Sequence, residues 1–150
     1  MQNDHAISVL NNLIETCKDG ENGFRTAAEG LTSPEIKARF LQYARERGQM
    51  SADLQAEVRR LGGDPERSGS MSGALHRGWL DIKSVVTGKD DHAILVEAER
   101  GEDVAKSTFE EALQEVLPVP SQALVQQQAA QIRRAHDEVR RLRNQQPVTR

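Results

Sequence analysis

Residues 7–31, ISVLNNLIETCKDGENGFRTAAEGL, decide the fold. Stepping along them by alternating threes and fours gives Ile7, Leu10, Ile14, Cys17, Glu21, Phe24, Ala28 and Leu31. Seven of these eight are apolar or small, the stripe of an amphipathic helix that packs against other helices. The exception, Glu21, falls in mid-stripe. A lone carboxylate in an apolar interior costs several kcal/mol unless a cation, hydrogen bonds, a metal or a proton compensates it. The stretch therefore predicts a helical bundle and raises a question of charge compensation.

Working outward, punctuation divides the chain into helices. Asn3 or Asp4 can cap the first helix, and Gly30 lies past its end. Thr32-Ser33-Pro34-Glu35 combines a capping hydroxyl, a first-turn Pro and an acid near the positive end of the dipole. The second helix then runs to about Leu61 and stops at Gly62-Gly63. Residues 62–89 form a crossover, with DPERSGSMS (64–72) as loop and a short helix from Gly73 to Val86. Its Leu75, Trp79, Ile82 and Val86 share one side, and Trp79 is expected to plug the core, with Gly73 and Gly78 permitting close approach. Asp90 or Asp91 caps a third long helix to Leu117. Pro118-Val119-Pro120 forces a turn, and the last helix fills 120–144 before a frayed tail at 145–150. No segment alternates with period two over a strand's length, so no sheet is expected.

The connections set the topology. Short links make hairpins of the first two and the last two long helices. The crossover of about 28 residues is long enough to travel the length of the bundle. One all-α domain over residues 1–150 is expected: an antiparallel four-helix bundle, up-down-down-up, with a short helix in the crossover.

Composition agrees. Charged residues are 29% and aromatics 3%, as in a helical protein rather than a β-sandwich. No apolar run reaches the ~18 residues that span a bilayer, so no membrane partner is expected. The first residues lack a signal-like pattern and Cys17 is the single cysteine, which predicts a cytoplasmic protein without an internal disulfide. Net charge is −3, but Arg133–Arg150 carries six Arg against Asp137 and Glu138, a local +4. That basic stretch is the one feature favouring nucleic acid or another anionic partner, and a solvated face pairing with nearby acids is the expected reading. A homodimer is compatible with a bundle of this size.

Polar residues interrupt every long stripe. The third long helix reads Leu95, Ala98, Glu102, Ala105, Phe109, Ala112 and Val116, with Glu99 one turn earlier than Glu102 on nearly the same face. In the second helix one line puts Arg47 on the seam with Glu46 beside it and Gln49 nearby, while Ala44, Gly48 and Ser51 offer a second, small-residue line. The last helix gives Val125, Gln128, Ile132, Ala135, Val139 and Leu142, bordered by His136. At 1.5 Å per residue these breaks agree in height to about one turn. One mid-bundle polar level is therefore expected, neutralised by a metal or by Arg47 and Arg133.

The stretches VLNNLIETCKDGENGFRTAAE, ARERGQMSADLQAEVRRLGGDPE, GALHRGWLDIKS, EAERGEDVAKSTFEEAL and QIRRAHDEVRRL resemble a bacterial family of ferritin-like four-helix-bundle proteins, a domain of unknown function. Ferritin-like di-iron proteins take a Glu from each of two helices and Glu-x-x-His from each of the other two. The resemblance sets Glu21 and Glu99 or Glu102 in the single-Glu positions. Glu46 to Gln49 then stands for one Glu-x-x-His with Gln replacing His, and Arg133 to His136 for the other with Arg replacing Glu. A guanidinium is always charged and offers no lone pair to a cation. The expectation is a non-catalytic bundle protein with no cofactor, its buried Glu/Arg/His layer standing in place of an intact di-iron centre. The alternative is a divalent-metal protein, binding iron or manganese through Glu21, Glu46, Gln49, Glu99, Glu102 and His136, and oxidising ferrous iron at a degenerate site.

Overall fold

The computed structural model describes residues 3–65 and 78–146. Its helices are α1 (Asp4–Gly30), α2 (Pro34–Arg60), α3 (Ile82–Thr87), α4 (Asp91–Ala112) and α5 (Val119–Gln145). The chain is all-α, with no strand among the described residues.

The helices start where side chains satisfy their free amides. Ser33 Oγ accepts from the amide of Ile36 at 3.3 Å and Pro34 opens α2; Asp90 Oδ1 accepts from the amide of Ala93 at 3.3 Å. Asn3 makes no such bond, and its Nδ2 donates instead to the carbonyl of Leu61 at 3.4 Å. The expected run of the third long helix to Leu117 is corrected: α4 ends at Ala112. The amides of Gln114 and Glu115 turn to carbonyls three residues back, which tightens the chain ahead of Pro118. Leu117 then returns to the core, while Val116, expected on the stripe, is left 90% exposed. In the crossover, α3 covers only the end of the expected short helix, and Gly73 and Leu75 lie outside the described residues.

Hydrogen bonds at the two ends give the helix directions. At one end Asp91 accepts from Thr32 N (2.7 Å), Thr32 Oγ1 (3.0 Å) and Ser33 N (3.0 Å), so the α1–α2 turn is clamped to the start of α4. At the other, Ser121 Oγ donates to Glu57, tying the start of α5 to the end of α2. The two hairpins α1–α2 and α4–α5 are thus each antiparallel, and α2 runs parallel to α4 after the crossover. The close contacts are between α1 and α2, α4 and α5, and α1 and α4; α2 and α5 meet only lightly.

The core has two apolar parts. One gathers Phe24, Phe40, Tyr43, Trp79, Ile94, Leu95 and Val139; the other Leu10, Leu13, Ile14, Cys17, Met50, Leu54, Phe109, Val125 and Ile132. Trp79 enters the first part between α1 and α4. A Cβ at Gly23 or at Gly101 would lie 2.2 Å from its indole, so both helices need glycine where the ring passes. The glycines that admit Trp79 are therefore these two, in addition to Gly78, whose positive φ of 75° turns the chain above Gly101.

Candidate functional site

Between the two apolar parts lies an ion pair. Arg47 of α2 donates from Nη1 to Glu102 Oε2 at 2.8 Å and from Nη2 to Oε1 at 2.6 Å, a fork-to-fork arrangement between parallel helices. Arg47 is 2% exposed and Glu102 0%. The guanidinium sits 5.2 Å from the centroid of Phe24, a cation–π contact. A Cβ at Gly20 would fall 2.7 Å from Arg47 Nη1, so that glycine makes room for the charge. Burial works to lower the Arg47 pKa, but the charge and hydrogen bonds of Glu102 outweigh it and hold it above its ordinary value. Beside the pair, burial pushes the Cys17 thiol up to about 12, against a smaller opposing pull from Arg47.

The other expected members of this level lie elsewhere, which corrects the picture of a single shared layer. Glu21 is partly exposed, its side chain at 29%, and pairs with Arg25 one turn on at 2.9 Å while resting over Gly48. Glu46 accepts from Gln42 Nε2 at 3.0 Å and lines a groove between α2 and α5 with Arg39 and Arg134. Gln49 is exposed and donates to Asp53 at 2.9 Å. Arg133 is exposed and among the described residues reaches Glu110, at 4.0 Å. The reason is rotational. Each residue turns a helix by about 100°, so seating Arg47 at the centre swings Glu46 and Gln49 away from it. At the centre the Glu102 carboxylate is taken up by a guanidinium, which offers no lone pair to a cation.

Glu99 and His136 do come together, on the seam between α4 and α5, and with them Asp103. One ligand atom from each lies within 4.8 Å of the others. His136, 1% exposed, has Nε2 2.7 Å from Asp103 Oδ1 and Nδ1 3.0 Å from Asp137 Oδ1. The bond from His136 and, less, the cations Lys106 and Arg140 hold the Asp137 carboxyl below its usual range. Glu99 meets Arg140 Nε at 3.1 Å and Arg143 Nε at 2.9 Å. The cluster can therefore compensate its charge internally. Sequence reasoning missed Asp103, though it stands one helical turn from Glu99, the i,i+4 spacing that places two side chains on one face.

Three further buried acids were missed, Asp19, Asp91 and Glu97. Asp91 clamps the first hairpin, and Glu97 accepts from the amide of Asp81, fixing the end of the crossover. The basic charge of α5 is largely turned onto acids: Arg140 and Arg143 on Glu99, Arg141 on Glu138. No described helix is long and apolar enough to cross a membrane.

No curated protein matches this chain. A family described as "Domain of unknown function (DUF2383)" matches residues 5–115, from α1 through the end of α4. Arg47 and Glu102 fall inside that segment and His136 outside it. With more than half of its length matched, the chain belongs to the DUF2383 family.

Proposed function

We infer that this protein is a non-catalytic bundle of ferritin-like type, acting as a structural or interaction module, in which an internal ion pair takes the place of a central metal. The observation that carries this reading is the Arg47–Glu102 pair, two-pronged and fully enclosed. Its geometry satisfies the carboxylate at the centre of the bundle, leaving no open coordination position at which chemistry could be run. A single buried cysteine also fits a reducing, cytoplasmic setting. Purified protein should contain no stoichiometric metal, and titration with Fe(II), Mn(II) or Zn(II) should leave the environment of Arg47 and Glu102 unchanged by NMR. Metal bound at that centre, lost in Glu102→Gln, would overturn the reading.

One observation favours a second reading, a divalent-cation site away from the centre. Glu99, Asp103 and His136 converge, and Asp137 stands on the second ring nitrogen, as a carboxylate commonly does behind a metal-bound His. Iron, manganese or zinc suits that mixed oxygen and imidazole set. Calorimetric titration distinguishes the readings: a site lost in both His136→Ala and Asp103→Asn but kept in Glu21→Ala would establish the second.

A further inference from the structure

A cavity of about 380 Å³ opens between the outer face of α1 and the end of the crossover, within the size range of small-molecule sites. Its apolar side is mainly Leu80, backed by the edges of Trp79 and Ile82, which are 3% and 5% exposed. Trp79 is immobilised, because Gly23 and Gly101 grip its ring from two helices, so this backing is preformed. Leu80, the next residue, is 71% exposed although it adjoins the cavity, an apolar surface that a bound molecule would cover. Arg25 and Lys83 also line the cavity. Arg25 gives one hydrogen bond to Glu21 and keeps further donors on its guanidinium. Lys83 is exposed and makes no ion pair among the described residues. Among the described residues the one acid of the lining is Glu29.

We propose that this cavity binds a small amphipathic monoanion, such as an aryl carboxylate, its apolar body on Leu80 against the exposed edge of Trp79 and its charged group at Arg25 and Lys83. Glu29 and the Glu21 carboxylate on Arg25 set the limit on charge: they repel a second negative group on the same ligand, so a monoanion is favoured over a dianion such as phosphate. Nothing in this assignment depends on the central ion pair, so it stands or falls separately from the non-catalytic reading.

Trp79 is the only tryptophan of the chain, so all indole fluorescence starts from the edge of this cavity, and the variants below locate the bound probe. The full-length protein is titrated with anilinonaphthalene sulfonate, an aromatic monoanion, following energy transfer from Trp79. Saturable binding of one probe per chain is expected, displaced by phenylacetate but not by phenethylamine or inorganic phosphate. Lys83→Glu and Leu80→Asp should each weaken it by about tenfold or more, while Val116→Asp, at the opposite end of the molecule, should not. All three positions are exposed, and an unchanged circular-dichroism melt verifies that each variant folds. Absence of saturable transfer, equal displacement by the amine, or unchanged binding in both cavity variants would overturn the proposal.

Discussion

Cys17 lies fully buried beside the guanidinium of Arg47, and burial raises its thiol to about 12. At pH 8 only on the order of one thiol in ten thousand is then ionised, and thiolate is the reactive form. Native protein should therefore resist iodoacetamide for hours at pH 8, while denatured protein is modified fully within minutes, as read by intact mass. Native alkylation at the rate of an exposed thiol would show that the α1 seam opens more readily than its burial implies. At this scale Cys17 was legible, because it occupies a clean place on an apolar stripe, whereas Glu102 stood as an alternative to Glu99, one turn earlier on nearly the same face. Glu46 and Gln49 were not legible. The stretch around them offers two seams, and both are used: Arg47 and Met50 are buried on one, Ala44 and Ser51 on the other. Helical spacing alone does not say which polar neighbours fall between the two and which fall outside them. Glu21 misled for a different reason, since Gly48 opposite leaves room for its carboxylate at the helix boundary, where it pairs with Arg25 of its own helix and stays partly exposed.

The pairing of α2 with α5 depends more on polar contacts than the other helix pairs do, because these two meet lightly. Glu57 is held by Arg60, at 2.9 and 2.6 Å, and by the hydroxyl of Ser121 at the start of α5. The Arg60 hydrogen bonds lower its pKa, partial burial opposes them, and Ser121 adds to the lowering. A carboxylate lowered in the folded state contributes stability that is complete above its unfolded value and lost as pH falls through the folded one. Between about pH 5 and pH 3 the melting temperature should fall more steeply in the natural protein than in Glu57→Gln. Parallel acid limbs in the two proteins would mean that this contact contributes nothing. Element ends were legible where a capping side chain marks them, as at Ser33 and Asp90. The end of α4 was not, because Leu113 to Leu117 continue a helical pattern of apolar residues. The constraint that stops them is Pro118 acting backward on the chain, together with the burial of Leu117, a tertiary effect.

Across the whole molecule, the Arg47–Glu102 pair divides the apolar core and links two helices that are parallel and far apart in sequence. The order of the hairpins could be read from connection lengths, and a charged break in the mid-bundle core from the stripes, though not a layer shared by all four long helices. The membership of that break could not, since that depends on how each helix is rotated once packed. What the pair contributes depends on the balance between desolvation and attraction. Moving both charges out of water costs about as much as their mutual attraction returns, whereas removing one partner strands the other. Arg47→Ala or Glu102→Ala should therefore lose about 3–5 kcal/mol in urea denaturation. Replacing both by apolar side chains of similar volume, Arg47→Met with Glu102→Leu, should restore most of that loss or exceed the natural stability. Both apolar parts of the core would then merge, and no directional bond would set α2 against α4. The doubly apolar protein should consequently show broadened amide resonances and a weaker near-ultraviolet signal from Trp79 while remaining helical. If it is instead as unstable as either single variant, the pair is a net source of stability, and a role in fixing helix register is not needed to explain it. If it is stable and gives equally sharp spectra, packing alone specifies the register and the pair does neither.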